Sequence, residues 1–546
     1  MSLDGFLTFL TIILAAYAVM PTVTRLRIAL SRLWLIIISV IGLALVIYFE
    51  YFSLLGRTCP KAFGGWCDWL ILSPNGPIST GQAAFTVVGL WLVLACLILA
   101  RQKLRPRDLP TLQRLVSELA YRHQYSDLID LVTPQLVLLQ RTASRATWFA
   151  RLHDRIQRLG GPQTMDDALA ALAARHNPKA GRSTIGRVQA WVGRNLSRLS
   201  ALVPSDRKAE DAATQIFRLL LTSHALTEFI ALYRPKFAIR LLALDVYGVQ
   251  QFSDALMTAL ISAPQSELYK EIKESQNLAG CGYALPKHNE ILHYLFADAN
   301  IANRLAVWRP VGEHLIAELR ASRNPHYISF LNGPAEHFNE AEKWSDTTFV
   351  GIRFFDLMVT AAACQDIQWH MWLYYYPHFL RRIVAIYDDS GDDIDRTDEW
   401  PTRASYLMYV LFDTLLEWVK IARKLPGNSS QLQIGNDRPE HQNNNIPKSA
   451  AIALGSCFGI LLQADNVGKE FRLYILDLVL RRIRDFETKG VEGRLRKILI
   501  NSIIERGPLG PEAGYGERLS ALWEEIDHIL RIDLKDFQTA LRTAYP

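Results

Sequence analysis

Most of the residue patterns that announce a chemistry are missing from this chain. Six cysteines are spread over 546 residues, and no CxxC pair occurs among them, which excludes a thiolate zinc finger. Gly468-Lys469 has neither a glycine at position 463 nor a Ser or Thr at position 470, so it is no phosphate-binding loop. The acidic run from Asp388 to Glu399 (DDSGDDIDRTDE) is as long as a calcium loop, yet Asp393 stands where glycine must make the turn and Ser390 at its third position. It reads as a solvated loop. No Ser-His-Asp or Cys-His elbow is visible. Alternating β-branched stretches are few, and no repeat recurs at a period of roughly 33 to 47 residues. What remains is a mainly α chain for which neither cofactor nor metal is expected.

Histidine and carboxylate do gather in the middle of the chain without forming a motif. Seven of the 13 histidines (His288, His293, His314, His326, His337, His370 and His378) fall within about ninety residues. His288 and His293 are five apart, which sets them about 140° apart around a helix rather than on one face as in HExxH. Glu271-Ile272-Lys273 matches the end of a nuclease motif, but it lies in a helical pattern with no acid-bearing strand before it. Trp369 to Tyr376 (WHMWLYYY) is the densest aromatic cluster, and it reads as the centre of a distal core.

Acid is absent from Ala168 to Pro204, where Arg175, Lys179, Arg182, Arg187, Arg194 and Arg198 stand. Ile185, Val188, Val192, Leu196, Leu199 and Val203 keep helical spacing there, with Arg187, Trp191, Arg194 and Arg198 on another stripe. Those four residues are candidates for contact with anionic lipid, each near-surface cation contributing about 1 kcal/mol. A solvated basic face on a core helix is the plainer alternative. Nucleic acid is a possible but less favoured partner, because proximity to a membrane already accounts for the charge. Just before this stretch, Thr164 to Asp167 forms a helix-start pattern ahead of ALAALAAR.

Long hydrophobic runs, by contrast, are present at the N-terminus. Ala83 to Ala100 is eighteen residues without a formal charge, about the length that crosses a ~30 Å hydrocarbon core. Arg101, Lys103, Arg105 and Arg107 follow at once. Trp34 to Leu55 forms a second run with Tyr48, Tyr51 and Phe52 at its end, and Leu3 to Met20 a first, bounded by Pro21. Ala16-Tyr17-Ala18 imitates a signal cleavage site, but Asp4 stands where a positive n-region belongs, so the first run is read as retained. Three spans are therefore expected, over 3–20, 34–55 and 83–100. Arg25, Arg27 and Arg32 belong on the same side as the cations after the third span, which predicts an N-terminus outside and a body inside. The outer loop, 56–81, contains Cys59 and Cys67, spaced to close a disulfide ring in an oxidising compartment. Cys281, Cys364 and Cys457 are read as single thiols.

The expected organisation is a transmembrane region over 1–107, a basic juxtamembrane helical region over 108–205, and a large irregular α-helical cytoplasmic domain over 206–546. The polar stretch 426–448 is a candidate boundary inside that domain. The basic charge hugs the membrane: Arg101 to Ser205 carries 17 Lys and Arg against 7 Asp and Glu. Ser449 to Leu462 is apolar and contains Gly455-x-x-x-Gly459, but fourteen residues suit a buried helix better than a span. FVGIRFFDLMVTAAAC, broken by Arg353 and Asp356, is likewise read as core.

The chain is thus expected at the plasma (inner) membrane as a multi-pass anchor, sensor or assembly component. Its expected partners are membrane lipids, other proteins or further copies of itself. An oligomerising membrane effector, as in antiviral defence, is the alternative, with a tethered enzyme as the third class.

Overall fold

The computed structural model describes residues 22–51, 80–101, 104–144, 207–244, 246–276, 284–320, 322–336, 338, 340–368, 372–434, 445–510 and 512–545. The expected first span, the outer loop with Cys59 and Cys67, the capped helix after Thr164 and the lipid-facing candidates Arg187, Trp191, Arg194 and Arg198 lie outside the described residues. So do Cys281, His337, Trp369 and His370.

In chain order the helices are α1 (Thr22–Tyr51), α2 (Thr80–Arg101), α3 (Leu109–Tyr121), α4 (Tyr125–Val132), α5 (Leu136–Ala143) and α6 (Arg207–Thr222). They continue with α7 (His224–Tyr233), α8 (Pro235–Leu242), α9 (Val249–Ile261), α10 (Glu267–Glu274), α11 (Glu290–Phe296), α12 (Ala299–Leu305), α13 (Trp308–Glu318) and α14 (Pro325–Leu331). The last are α15 (Thr347–Cys364), α16 (Tyr375–Ile386), α17 (Arg403–Lys420), α18 (Ile446–Gln463), α19 (Lys469–Asp485), α20 (Gly490–Glu505), α21 (Tyr515–Glu525), α22 (His528–Asp533) and α23 (Lys535–Ala544). Among the described residues there is no strand, and the one isolated bridge joins Pro334 to Thr402. The chain is mainly helical.

It divides into two compact units, Met1–Leu220 and Leu221–Pro546. The stretch 426–448 lies inside the second. Its described part is drawn into the core by Gln431, which donates to the Ile367 carbonyl (2.9 Å) and accepts from the Ile446 amide (2.7 Å).

In the first unit, α1 starts at Thr22, twelve residues before the expected Trp34, so Arg25, Arg27 and Arg32 are helical rather than a connecting loop. Its partner α2 encloses the expected run. The two are joined by a hydrogen bond from Trp91 Nε1 to Ser39 Oγ (3.1 Å), and the Trp91 ring covers Gly42. Past the basic exit, α3 buries Leu109, Leu112, Val116 and Leu119 at helical spacing, and α4 and α5 bury Leu128, Ile129, Leu131, Val132, Leu136 and Leu139. The N-cap of α4 is Gln124.

The second unit is organised around α15 and α18. Each has eighteen residues and enough apolarity to cross a membrane, so α18 is longer than the apolar run of fourteen that marks it. The described apolar stretches of α1 and α2, Trp34–Tyr48 and Phe85–Ile98, are shorter. Length and composition thus do not single out three N-terminal spans among the described residues. Yet 72% of α15 and 78% of α18 are buried inside the protein, as expected of helices that are apolar all round. Asp346 starts α15 by accepting the Phe349 amide (2.7 Å), a standard way to satisfy a free helix N–H. The charges within α15 are matched: Arg353 pairs with Asp356 (2.6 Å), and Trp418 Nε1 donates to Asp356 Oδ1 (2.9 Å). Around this pair packs the aromatic cluster, with Trp372 and Tyr376 fully buried and the Tyr376 hydroxyl donating to the Ile352 carbonyl (3.1 Å).

The Gly455-x-x-x-Gly459 pattern brings α18 against α20. A Cβ at Gly455 would overlap the Ser502 carbonyl, and one at Gly459 would sit 3.0 Å from Arg506 Nε. Close approach of two backbones needs that missing side chain. Arg506 ends α20 in a left-handed conformation (φ 63°) with its guanidinium over the Tyr515 ring.

Candidate functional site

The first candidate is the outer surface of the α1–α2 pair. Trp34 is 61% exposed and Phe85 74%, and Val40, Ile41, Leu90 and Val93 are each more than half exposed. Burying a side chain of this kind is worth about 1.5–3 kcal/mol, so a whole surface of them bared to water is strongly unfavourable. Contiguous apolar patches of this sort mark an interaction surface. Gly89 on the same surface faces open space, with nothing within 4 Å of the point a Cβ would occupy. Cys96, a free thiol, is exposed there too.

The second candidate is the set of buried titratable groups in the second unit. Glu271, on α10, accepts the amides of Ile291 (3.1 Å) and Leu292 (2.8 Å) and thereby caps α11 from outside. Burial pushes its carboxyl up to about 7, although the two amides pull the other way. Asp346 also accepts the Tyr327 hydroxyl (2.7 Å), and burial pushes it up to about 6. Tyr327 in turn lies 2.7 Å from Thr348 Oγ1. Perturbed carboxylates can mark an active site. Here both are consumed in starting helices, so Glu271 of the EIK tripeptide is a cap rather than a nuclease acid.

The described histidines do not converge. His288 meets Glu274 (3.2 Å) at the surface, and His378 contacts Arg381 (3.5 Å). Burial lowers the pKa of both His314 and His378. Among the described residues no group of three or more His, Cys, Asp or Glu side chains is placed to hold a metal. Cys457 is a buried free thiol, whereas Cys364 is disulfide-bonded, contrary to its expected single state.

A cleft of about 550 Å³ lies elsewhere, between α20, α22 and α23, a size within the range of ligand sites. Thr488, Lys497, Asn501, Asp533 and Lys535 line it. Its wall includes Arg496, a buried cation in the apolar run of α20. Arg496 forks onto Asp536 (2.6 and 2.9 Å) and donates its remaining Nη1 to the carbonyls of Ile483 (2.9 Å) and Phe486 (3.2 Å). Burial raises the Asp536 pKa, but the Arg496 bonds and charge outweigh it and the net shift is downward. This ion pair ties α20 to α23. Neither Glu271 nor Asp346 lines this cleft. Arg496 was not singled out by the sequence, though an arginine inside RLRKILINSII carries a signal: a charge in an apolar helix needs a partner.

No protein-family model matches the chain, and no curated protein or solved structure matches it.

Proposed function

We propose that the protein is a membrane-anchored interaction or assembly protein, held by its N-terminal hydrophobic helices and acting through its helical body. The observation that carries this is the bared apolar surface of α1 and α2, which a bilayer would cover at no cost in unsatisfied backbone, since both segments are helical. In this proposal the spans are 3–20, 34–55 and 83–100, the membrane is the plasma (inner) membrane, and the basic segment 108–205 lies against it with Arg187, Trp191, Arg194 and Arg198 toward lipid. Alkaline carbonate treatment of membranes should leave the protein in the pellet. Its release into the supernatant would sink the proposal.

Arginines 25, 27 and 32, with the cations after Ala100, favour a body on the cytoplasmic side. The disulfide at Cys364 favours the opposite side, because disulfides persist in oxidising compartments. Labelling sealed, briefly reduced cells with an impermeant maleimide separates the two orientations. Reaction at Cys59 or Cys67 with Cys364 silent supports a body inside, and the reverse pattern places it outside.

Gly89 favours a second reading, the oligomerising effector. It is open to another helix, whereas Gly42, equally a candidate for such contacts, is already covered by Trp91 of its own chain. Dye release from vesicles carrying the full-length protein, abolished by Gly89→Leu, is the result expected of an effector. Intact vesicles from confirmed oligomers leave the anchor.

A further inference from the structure

The C-terminal end of α18 collects more positive charge than a helix end needs. Arg472 Nη1, from α19, donates to the Leu462 carbonyl (3.2 Å). Arg518 Nη1, from α21, donates to the same oxygen (3.4 Å) and to the Gln463 carbonyl (3.4 Å). Two guanidinium groups therefore share one acceptor. A helix C-terminus presents roughly half a negative charge, which one cation already balances.

The neighbouring groups divide into those that are committed and those that are not. Arg506, the third guanidinium here, has both terminal nitrogens engaged and only its buried Nε without a partner: Nη2 donates to Gln463 Oε1 (2.6 Å), Nη1 to the Gly510 carbonyl (3.1 Å), and Glu512 pairs with it (2.6 Å). Arg472 and Arg518 use only Nη1. Among the described residues neither finds an acceptor for Nη2 or Nε, and Arg472 Nε is buried without a partner. The acids that bear on Arg472 are Asp465 and Glu470. Asp465 touches Arg518 Nη1 (2.9 Å), but its carboxylate is 87% exposed, and an exposed pair of this kind contributes only about 0–1 kcal/mol. It is easily displaced.

We propose that Arg472 and Arg518 form a binding site for the phosphate group of a phosphorylated ligand, beside the exposed Asp465 carboxylate held on Arg518 Nη1. A guanidinium offers its donors as a planar fork that matches phosphate oxygens two at a time. Two forks anchored on a single carbonyl are held close together, with Nη2 of both and Nε of Arg518 left for the ligand, and so lose little freedom on binding. Burial and the neighbouring Arg518 charge both lower the Arg472 pKa, as two cations awaiting a shared anion would. The phosphate could belong to a soluble metabolite or to a lipid headgroup.

The test is calorimetric titration of the full-length protein in neutral detergent at low salt. One arm uses inorganic pyrophosphate, a second dioctanoyl phosphatidic acid, with dioctanoyl phosphatidylcholine as control. Similar affinities for pyrophosphate and phosphatidic acid assign a soluble source, and at least tenfold tighter phosphatidic acid assigns a lipid. Binding of neither overturns the proposal. The double variant Arg472→Lys/Arg518→Lys keeps the charge and removes the forks, and should weaken binding at least tenfold; unchanged binding reduces the effect to diffuse attraction and overturns the site. Because those lysines can also loosen the end of α18, the surface change Asp465→Asn is decisive on its own. It should tighten phosphate binding about fivefold by removing a neighbouring negative charge, whereas weaker or unchanged binding means the arginines only cap the helix.

Discussion

Two pairs of helices in this protein are made from similar residues and put them to opposite use. α1 and α2 turn tryptophan, phenylalanine, valine and leucine outward, with a polar bond between them from Trp91 to Ser39. α15 and α18 are as apolar and long enough to cross a membrane, yet they are wrapped by the rest of the second unit. The lesson is that apolar length sets how much surface must be hidden from water, not what hides it. Packing decides that. α18 has Gly455 and Gly459 to admit α20, and α15 has matched partners for Arg353 and Asp356. The outer face of α2 has Gly89 with nothing described against it.

The largest effect that tests this contrast is expected at Gly455. Gly455→Leu should drive α18 and α20 apart and cost more than about 5 kcal/mol, comparable with the whole stability of a domain. Loss of cooperative melting in circular dichroism checks it. A variant that melts like the parent would mean that the two helices are not held at backbone contact.

The charges inside α15 come next. Asp356→Leu leaves Arg353 and the Trp418 indole without their acceptor, and breaking such a pair costs about 3–5 kcal/mol. Arg353→Met with Asp356→Leu should recover part of that loss. Equal destabilisation in the single and double variants, compared by denaturant midpoint, would show that the pair is not coupled.

Buried carboxylates give the second unit a pH dependence of the same order. The folded pKa values of Asp346 (about 6) and Glu271 (about 7) exceed the ordinary carboxylate values, so the folded state holds protons that the unfolded state has released. Their contribution is complete below about pH 4 and is lost as pH rises through 6 to 7, about 3 kcal/mol for each group. Comparing melting at pH 4.5 and 7.5, Asp346→Asn and Glu271→Gln should each lose less stability on the rise than the parent. An identical slope in parent and variants would remove these two groups as its source.

The smallest effects are expected in the hairpin. Ser39→Ala removes the acceptor of Trp91 and should cost about 0.6–1 kcal/mol in a membrane or micelle. Gly89→Leu should leave the melting of a single copy within about 0.5 kcal/mol, because nothing described lies against that glycine. A large loss at Gly89 in monomeric protein would erase the contrast with Gly455.

Much of the helical scaffold was legible from periodicity. Leu112, Val116 and Leu119 repeat every three or four residues and are buried together, and the Ala83–Ala100 run lies within one helix. Helix starts were less legible: α1 begins well before its apolar run, because Arg25, Arg27 and Arg32 are good helix formers and continue the turn. The groups that matter most inside the second unit gave weaker signals. Glu271 stood out only through the EIK tripeptide and not as a cap, since the amides it caps are about twenty residues away. Arg472 and Arg518 are 46 positions apart in the chain and meet only at the end of a third helix.

By itself, then, the sequence determined the helical class, the apolar segments and their flanking charges, because a helix depends on residues within four positions of each other and apolar length is a local sum. The tertiary structure alone decided which apolar helices are covered by protein, which glycines carry a close contact, and which carboxylates and arginines find partners. Those outcomes depend on residues distant in sequence meeting at a few ångströms, and no local pattern records that distance.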